Sequence, residues 1–188
     1  MPPKRIMLIR HAEKPAGRVR GIDADGRADA EALTVRGWQR AGALVRLFAP
    51  RNGRSAARRL AVPDVLFAAG VGPKSPSRRP LQTITPLAHA LGKRIEQRHR
   101  KGQESALVAA IMRRKGAVLV AWEHTLVPTI ANAILGDHTT VPQRWPDHRF
   151  DLVWVLKRTG KRWTFRQVPQ KLLAGDTDEP IEPVKPAR

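Results

Sequence analysis

A chain of 188 residues with 35 Lys+Arg against 16 Asp+Glu carries a formal net charge of +19, a field that attracts anions of every kind. The length fits one domain around a single buried core, and no apolar run approaches the ~20 residues of a membrane-spanning helix. The complete absence of cysteine excludes disulfides, thiolate chemistry and cysteine-ligated zinc.

The first predicted element is a strand over Arg5–Arg10, whose apolar stretch Ile6-Met7-Leu8-Ile9 is too short for the ~7–15-residue apolar region of a secretory signal. A cytoplasmic chain without membrane attachment is therefore expected. A polar loop follows, with Gly17, Gly21, Asp23, Asp25 and Gly26, suited to lie beside a ligand site. Thr34 then caps a helix running to Phe48, with Trp38, Ala41, Leu44 and Phe48 at helical spacing. Pro50 to Leu60 reads as a basic surface connection, and Val62 to Ala69 as the second apolar run. Helices are expected over Pro80–Leu91, Glu104–Lys115 and Thr125–Leu135, and strands over Arg94–Arg98, Ala117–Trp122, Phe150–Leu156 and Arg162–Val168. The last two, separated by Lys157 to Lys161, read as an antiparallel hairpin. One domain spans residues 1–188, in which 174–188 is a Pro-rich tail, extended or disordered.

Three of these apolar runs lead into basic or imidazole groups. The first delivers Arg10-His11 into a loop. A neutral imidazole beside a guanidinium suits attack at an oxyanionic phosphorus centre, although an Arg-His pair alone is a weak motif in so basic a chain. The second is followed by Ser75-Pro76-Ser77-Arg78-Arg79-Pro80, where proline in a first helical turn marks a helix entry. The third ends in Glu123-His124 ahead of another helix. In open α/β sheets the carboxyl ends of the strands are where ligands bind. His89, His99, His138 and His148 lack metal-ligand spacing and are assigned no role.

Taken in order, these motifs resemble those of the histidine phosphatase superfamily, the phosphoglycerate mutase-like proteins, over residues 4–169. Leu8-Ile9-Arg10-His11-Ala12-Glu13 resembles the family's Arg-His-Gly signature, with Ala12 in the glycine position. That requires a backbone there that avoids a glycine-only conformation. Ser75 and Arg79 fall in register with the family's Ser-x-x-x-Arg-Ala-x-Gln-Thr, with Pro80 where alanine is usual, and His124 matches its late histidine. Leu33-Thr34-Val35-Arg36-Gly37 resembles the start of its helix after the first loop.

The resemblance implies an α/β fold, a three-layer α/β/α sandwich around a mixed, mostly parallel sheet. It implies His11 as nucleophile and Arg10, Arg79 and His124 as phosphate ligands, with no metal and no cofactor. The implied activity is a metal-independent phosphatase working through a phosphohistidine on His11, acting on a phosphorylated small molecule or a phosphoprotein. The alternatives are a phosphoglycerate-type mutase and a non-catalytic, anion- or nucleic-acid-binding relative of the fold. A general acid is not fixed, because Thr125 directly follows His124; Glu123, Glu13, Glu104 and Glu96 are the candidates. If none is correctly placed, substrates whose leaving group needs no proton are favoured, such as an acyl phosphate or a phosphohistidine. The basic residues are scattered in pairs such as Arg58-Arg59, Arg78-Arg79 and Arg113-Arg114 without interleaved aromatics, a pattern of solvated surface and not of specific nucleic-acid recognition.

Overall fold

Two apolar runs buried on both faces, β1 (Arg5–Arg10) and β4 (Ala117–Trp122), form the centre of the sheet and pair in parallel from Arg5↔Ala117 to Arg10↔Trp122. Unbroken apolar sequence is what a strand covered on both sides requires. The computed structural model describes residues 2–50 and 59–182. Around the central pair lie α1 (Val35–Phe48), β2 (Val65–Ala68), α2 (Arg79–Leu91), β3 (Ile95–Glu96), α3 (Glu104–Met112), α4 (Val127–Leu135), β5 (Leu152–Thr159) and β6 (Arg162–Pro169). The sheet order is β3-β2-β4-β1-β5-β6. The strands β1 to β4 are mutually parallel, while β5 runs antiparallel to β1 and β6 antiparallel to β5.

Alternation along the strands divides the core into two layers. Ile6, Leu8, Val118 and Val120 face Leu107, Ile111, Ile130 and Ile134 of α3 and α4. Met7, Ile9, Leu119 and Ala121 face Leu44, Phe48, Ile84 and Leu87 of α1 and α2. The result is the expected α/β/α sandwich, with the carboxyl ends of β1, β2 and β4 side by side.

Several boundaries differ from the sequence expectation: β2 starts at Val65 and not Val62, α4 at Val127 and not Thr125, and β5 at Leu152 and not Phe150. The hairpin strands continue through Lys157↔Thr164 and Thr159↔Arg162, so the connection shrinks to Gly160 and Lys161, with Gly160 at φ 61°. Of the strand expected over Arg94–Arg98, only Ile95 and Glu96 pair, against Leu66 and Phe67, because β2 itself ends at Ala68. The third helix stops at Met112, where the Arg113 N–H turns back to the Ala110 carbonyl at 3.3 Å and not to the carbonyl four residues earlier.

After β6 the chain returns along the sheet as an extended strap. Thr177 N donates to Asp151 Oδ2 at 2.8 Å, Ile181 N donates to Gln167 Oε1 at 3.0 Å, and the Ile181 side chain enters the core. The rest of the expected tail, 183–188, and residues 51–58 of the expected connection lie outside the described residues. Among the described residues, no helix is long and apolar enough to cross a membrane.

Candidate active site

Arg10, the last residue of β1, is 1% exposed, and half of its guanidinium is committed to the loop before β5. Nη1 donates to the carbonyls of Asp147 at 2.6 Å, Pro146 at 3.2 Å and Arg149 at 3.2 Å, and Cζ lies 3.9 Å from the centroid of the Phe150 ring. Nε and Nη2 are buried and have no partner. Unpaired buried donors on a cation are costly, so these two leave the hydrogen-bonding demand of a buried guanidinium unmet. Burial pushes the Arg10 pKa down to about 10, against the pull of Asp147, Glu13 and Glu123, so the group remains charged at neutral pH.

His11 follows in the loop, its N–H donating to the Trp122 carbonyl at 3.0 Å. The ring is 5% exposed, and Nδ1 lies 2.7 Å from the Ala12 carbonyl oxygen. A carbonyl only accepts, so Nδ1 carries the proton and Nε2 carries the lone pair. Desolvation, reinforced by Arg10, Arg79 and His124, pushes the His11 pKa down to about 3, although the bond to Ala12 opposes the shift.

The backbone after His11 is pinned from two helices. Ala12 N donates to Thr83 Oγ1 at 2.8 Å, and that hydroxyl donates to the Arg79 carbonyl at 2.7 Å, which ties the loop to the first turn of α2. Thr34 N donates to the Glu13 carbonyl at 3.0 Å. A Cβ added to Gly37 would stand 2.6 Å from the same carbonyl oxygen, so α1 approaches the loop at a distance that only glycine allows. Ala12 itself has no left-handed backbone, since Lys171 is the sole non-glycine residue with positive φ among the described residues. Alanine therefore stands in the glycine position without strain.

Arg79 opens α2 and lines a cleft of about 220 Å³ with His11, His124 and Ser75. Its Nη1 donates to the Ala30 carbonyl at 2.9 Å and Nη2 to Glu31 Oε2 at 3.2 Å, leaving Nε buried without a partner. Its neighbour Arg78 points away to Asp29 at 3.0 Å. His124, after β4, is 6% exposed. Its Nε2 meets the Asp147 carboxylate, while Nδ1 is buried with no partner. Burial and the field of Arg10 lower its pKa, against the pull of Asp147. The four residues singled out in the sequence thus gather at one place, from the ends of β1 and β4 and the start of α2.

Of the four acid candidates, the structure brings only Glu123 to the cleft, where it pairs with Lys101 Nζ at 2.6 Å. Glu13 is instead held by Arg40, with Nε and Nη2 contacts of 2.9–3.2 Å, on the far side of the His11 loop. Glu104 is buried, accepting from Trp122 Nε1 and Gly102 N at 3.0 Å each. Glu96 pairs with Arg114 at the sheet edge. Each of these three answers a structural need for a counter-charge or acceptor, and none faces the cleft.

Sequence reasoning missed Glu31, Asp147 and the cleft lysines Lys14, Lys74 and Lys101. The lysines had a signal, since each stands in the loop after a strand, β1, β2 or β3 in turn. Asp147 had none, because the loop that carries it is placed by tertiary packing alone.

No protein-family model and no curated protein sequence matches the chain. Solved structures do. A phosphoserine phosphatase from Entamoeba histolytica, determined with phosphoserine bound, superposes with a TM-score of 0.53 at 13% identity, covering 86% of this chain and 94% of that one. The alpha-ribazole phosphatase from Shigella flexneri gives 0.52 at 13% identity, covering 92% and 100%. This is the phosphoglycerate mutase-like α/β fold. A mycobacterial glucosyl-3-phosphoglycerate phosphatase shares it as well, at a TM-score of 0.50 and 14% identity over 91% of this chain and 100% of that one. At these identities the likeness is one of fold, and the function of this chain rests on the cleft.

Proposed function

We propose that the chain is a phosphatase that transfers a phosphoryl group to His11 and then to water. The observation that carries this reading is the state of His11: buried, neutral, its Nδ1 proton engaged by Ala12 and its Nε2 lone pair turned to a cleft beside Arg79 and His124. Phosphoryl transfer needs little covalent help from a protein beyond an in-line nucleophile and positive charge around three equatorial oxygens. The uncommitted Nε and Nη2 of Arg10 and Nε of Arg79 are the donors for those oxygens; Nδ1 of His124 joins them only as the imidazolium, because the neutral ring's single N–H is taken by the Asp147 carboxylate. The two guanidiniums supply the charge without a metal. Attack by Nε2 breaks the bond from phosphorus to the leaving group, and the Nδ1–H···O=C bond stabilises the positive phosphoimidazole. Water then attacks phosphorus and restores neutral His11.

Both carboxylates of the cleft already accept from cations, Glu31 from Arg79 and Glu123 from Lys101. This favours leaving groups that depart without a proton from the enzyme: the carboxylate of an acyl phosphate, or the imidazole of a protein phosphohistidine protonated on its second nitrogen. Incubation with a phosphohistidine peptide and with an aryl phosphate, with and without EDTA, tests the reading, together with an alkaline quench that preserves phosphohistidine. Turnover unaffected by EDTA and label on wild type but not on His11→Ala are expected. Full turnover by His11→Ala would overturn it.

A further inference from the structure

Positive charge also lines the free edge of the sheet. β3 is the edge strand, and the groove between it and α3 is walled by Arg94, Arg98, Arg113 and Arg114. Among the described residues only Arg114 has a carboxylate partner, Glu96. Arg94, Arg98 and Arg113 are exposed. A solvated face is the ordinary reading of such arginines, and charge also blunts an edge against aggregation. Two observations favour a docking site instead. The chain runs from Arg98 in the groove to Lys101 in the wall of the cleft, so three residues link the two. That connection is also fixed: Gly70 N donates to the His99 carbonyl at 2.8 Å, and a Cβ on Gly70 would lie 2.2 Å from the Gln97 oxygen.

We propose, resting on the phosphatase reading, that the substrate is a phosphorylated residue of a protein, and that an acidic segment of the same protein lies in the groove between β3 and α3. The three residues from Lys101 to Arg98 correspond to about 10 Å of extended chain, beyond the reach of a small molecule seated in the cleft but within that of a peptide. The unpaired edge offers backbone groups to an extended segment, and Ala106, Ala109 and Ala110 of α3 give the groove an apolar side for its remaining side chains. Among the described residues no Trp or Phe lines the groove and His99 is its single ring, so it lacks the row of stacking platforms of a single-stranded nucleic-acid site.

The test uses two phosphohistidine peptides for wild-type turnover and their phosphoserine counterparts for binding to the His11→Ala protein, with four Asp or four Ala on each side of the phosphorylated residue. A second pair of variants in the His11→Ala background separates the groove from the general field of the molecule. Arg98→Ala/Arg113→Ala removes two charges from the groove. Lys157→Ala/Arg166→Ala removes two from a basic cleft on β5 and β6, at the other end of the sheet. Binding about tenfold tighter for the Asp-flanked peptide is expected at low salt, falling to within about threefold in the groove variant and little changed in the remote one. Equal binding of the two peptides, equal losses in the two double variants, or stronger binding of a duplex oligonucleotide at the groove would overturn the proposal. Turnover of both phosphohistidine peptides without preference for Asp flanks overturns the groove and leaves the phosphatase reading standing. Selective, groove-dependent binding without any turnover supports the groove and removes that reading.

Discussion

Replacing Arg40 by alanine should destabilise the protein far more than replacing its neighbour on the same helix, Arg36, although both pair with Glu13. Arg40 has a side chain 3% exposed; it meets Glu13 at 2.9 Å, Asp176 at 2.7 Å and Gln170 Oε1 at 3.1 Å. Arg36 is 47% exposed and stands 3.4 Å from Glu13. Removing one partner of a buried ionic cluster costs about 3–5 kcal/mol, because the remaining charges are left uncompensated, whereas an exposed pair contributes about 0–1 kcal/mol. Asp176 keeps the N–H bonds of Leu172 and Leu173, and Glu13 keeps Arg36, which places Arg40→Ala near the lower end, at about 3 kcal/mol. With a urea m-value of about 2 kcal/mol/M, the midpoint should fall by about 1.5 M, against less than about 0.5 M for Arg36→Ala. The Asp176 pKa is lowered in the fold despite its burial, by its bonds to Arg40, Leu172 and Leu173. A carboxylate with a depressed folded pKa contributes stability above its unfolded pKa of ~3.9 and loses it as pH falls through the folded value. The gap between wild type and Arg40→Ala should therefore narrow on acidification below pH ~4. Similar midpoint shifts for the two variants at pH 7 would refute the reasoning.

His11, held neutral with a pKa of about 3 against the ordinary 6.5, makes the unfolded state the better proton binder between those values, so stability falls as pH drops through that window; His11→Ala should show a shallower loss of urea midpoint from pH 6.5 to 4, and parallel curves would contradict the buried neutral ring. Arg79→Ala should lower turnover by roughly 10²–10³, the usual cost of one preorganised oxyanion donor, while Arg78→Ala, whose guanidinium faces Asp29, should fall only modestly; the reverse order in steady-state assays would displace the phosphate ligand. Two glycines of α1 should respond oppositely to alanine. Gly42, with open space around its Cβ position, should gain about 0.5–1 kcal/mol, while Gly37→Ala, pressed against the Glu13 carbonyl, should lose stability and turnover together; a thermal-melt increase for Gly37→Ala would show that the loop is not in contact with the helix.

The strand ends and the gathering of Arg10, His11, Arg79 and His124 were legible because each depends on a short-range pattern: an apolar run followed by Arg10-His11, a proline helix entry behind Arg79, an apolar run ending at His124. The acids were not. Glu13 and Glu104 are separated from their partners by 27 residues to Arg40 and 18 to Trp122, and which buried cation or indole a carboxylate serves is decided by helix packing that no local spacing encodes. Asp147 is a stronger case, since its carboxylate reaches His124 and its carbonyl holds Arg10 across 137 residues. The two-residue hairpin turn was overlooked for a different reason: Lys157 and Thr159 face water, so burial gave no alternating signal over the last part of β5.

The strap that follows β6 has a bearing on how the molecule is made. Arg10 and His11 emerge during synthesis well ahead of the segments that fix their surroundings: the carbonyls that orient Arg10 come from residues 146–149, and the carboxylate that joins Glu13 on Arg40 comes from Asp176. A nascent chain therefore carries the Arg10-His11 pair long before it can orient it. The arrangement is complete only when the strap has left the ribosome and closed onto the sheet, and a chain interrupted before residue 176 would hold an Arg40 with half of its counter-charge.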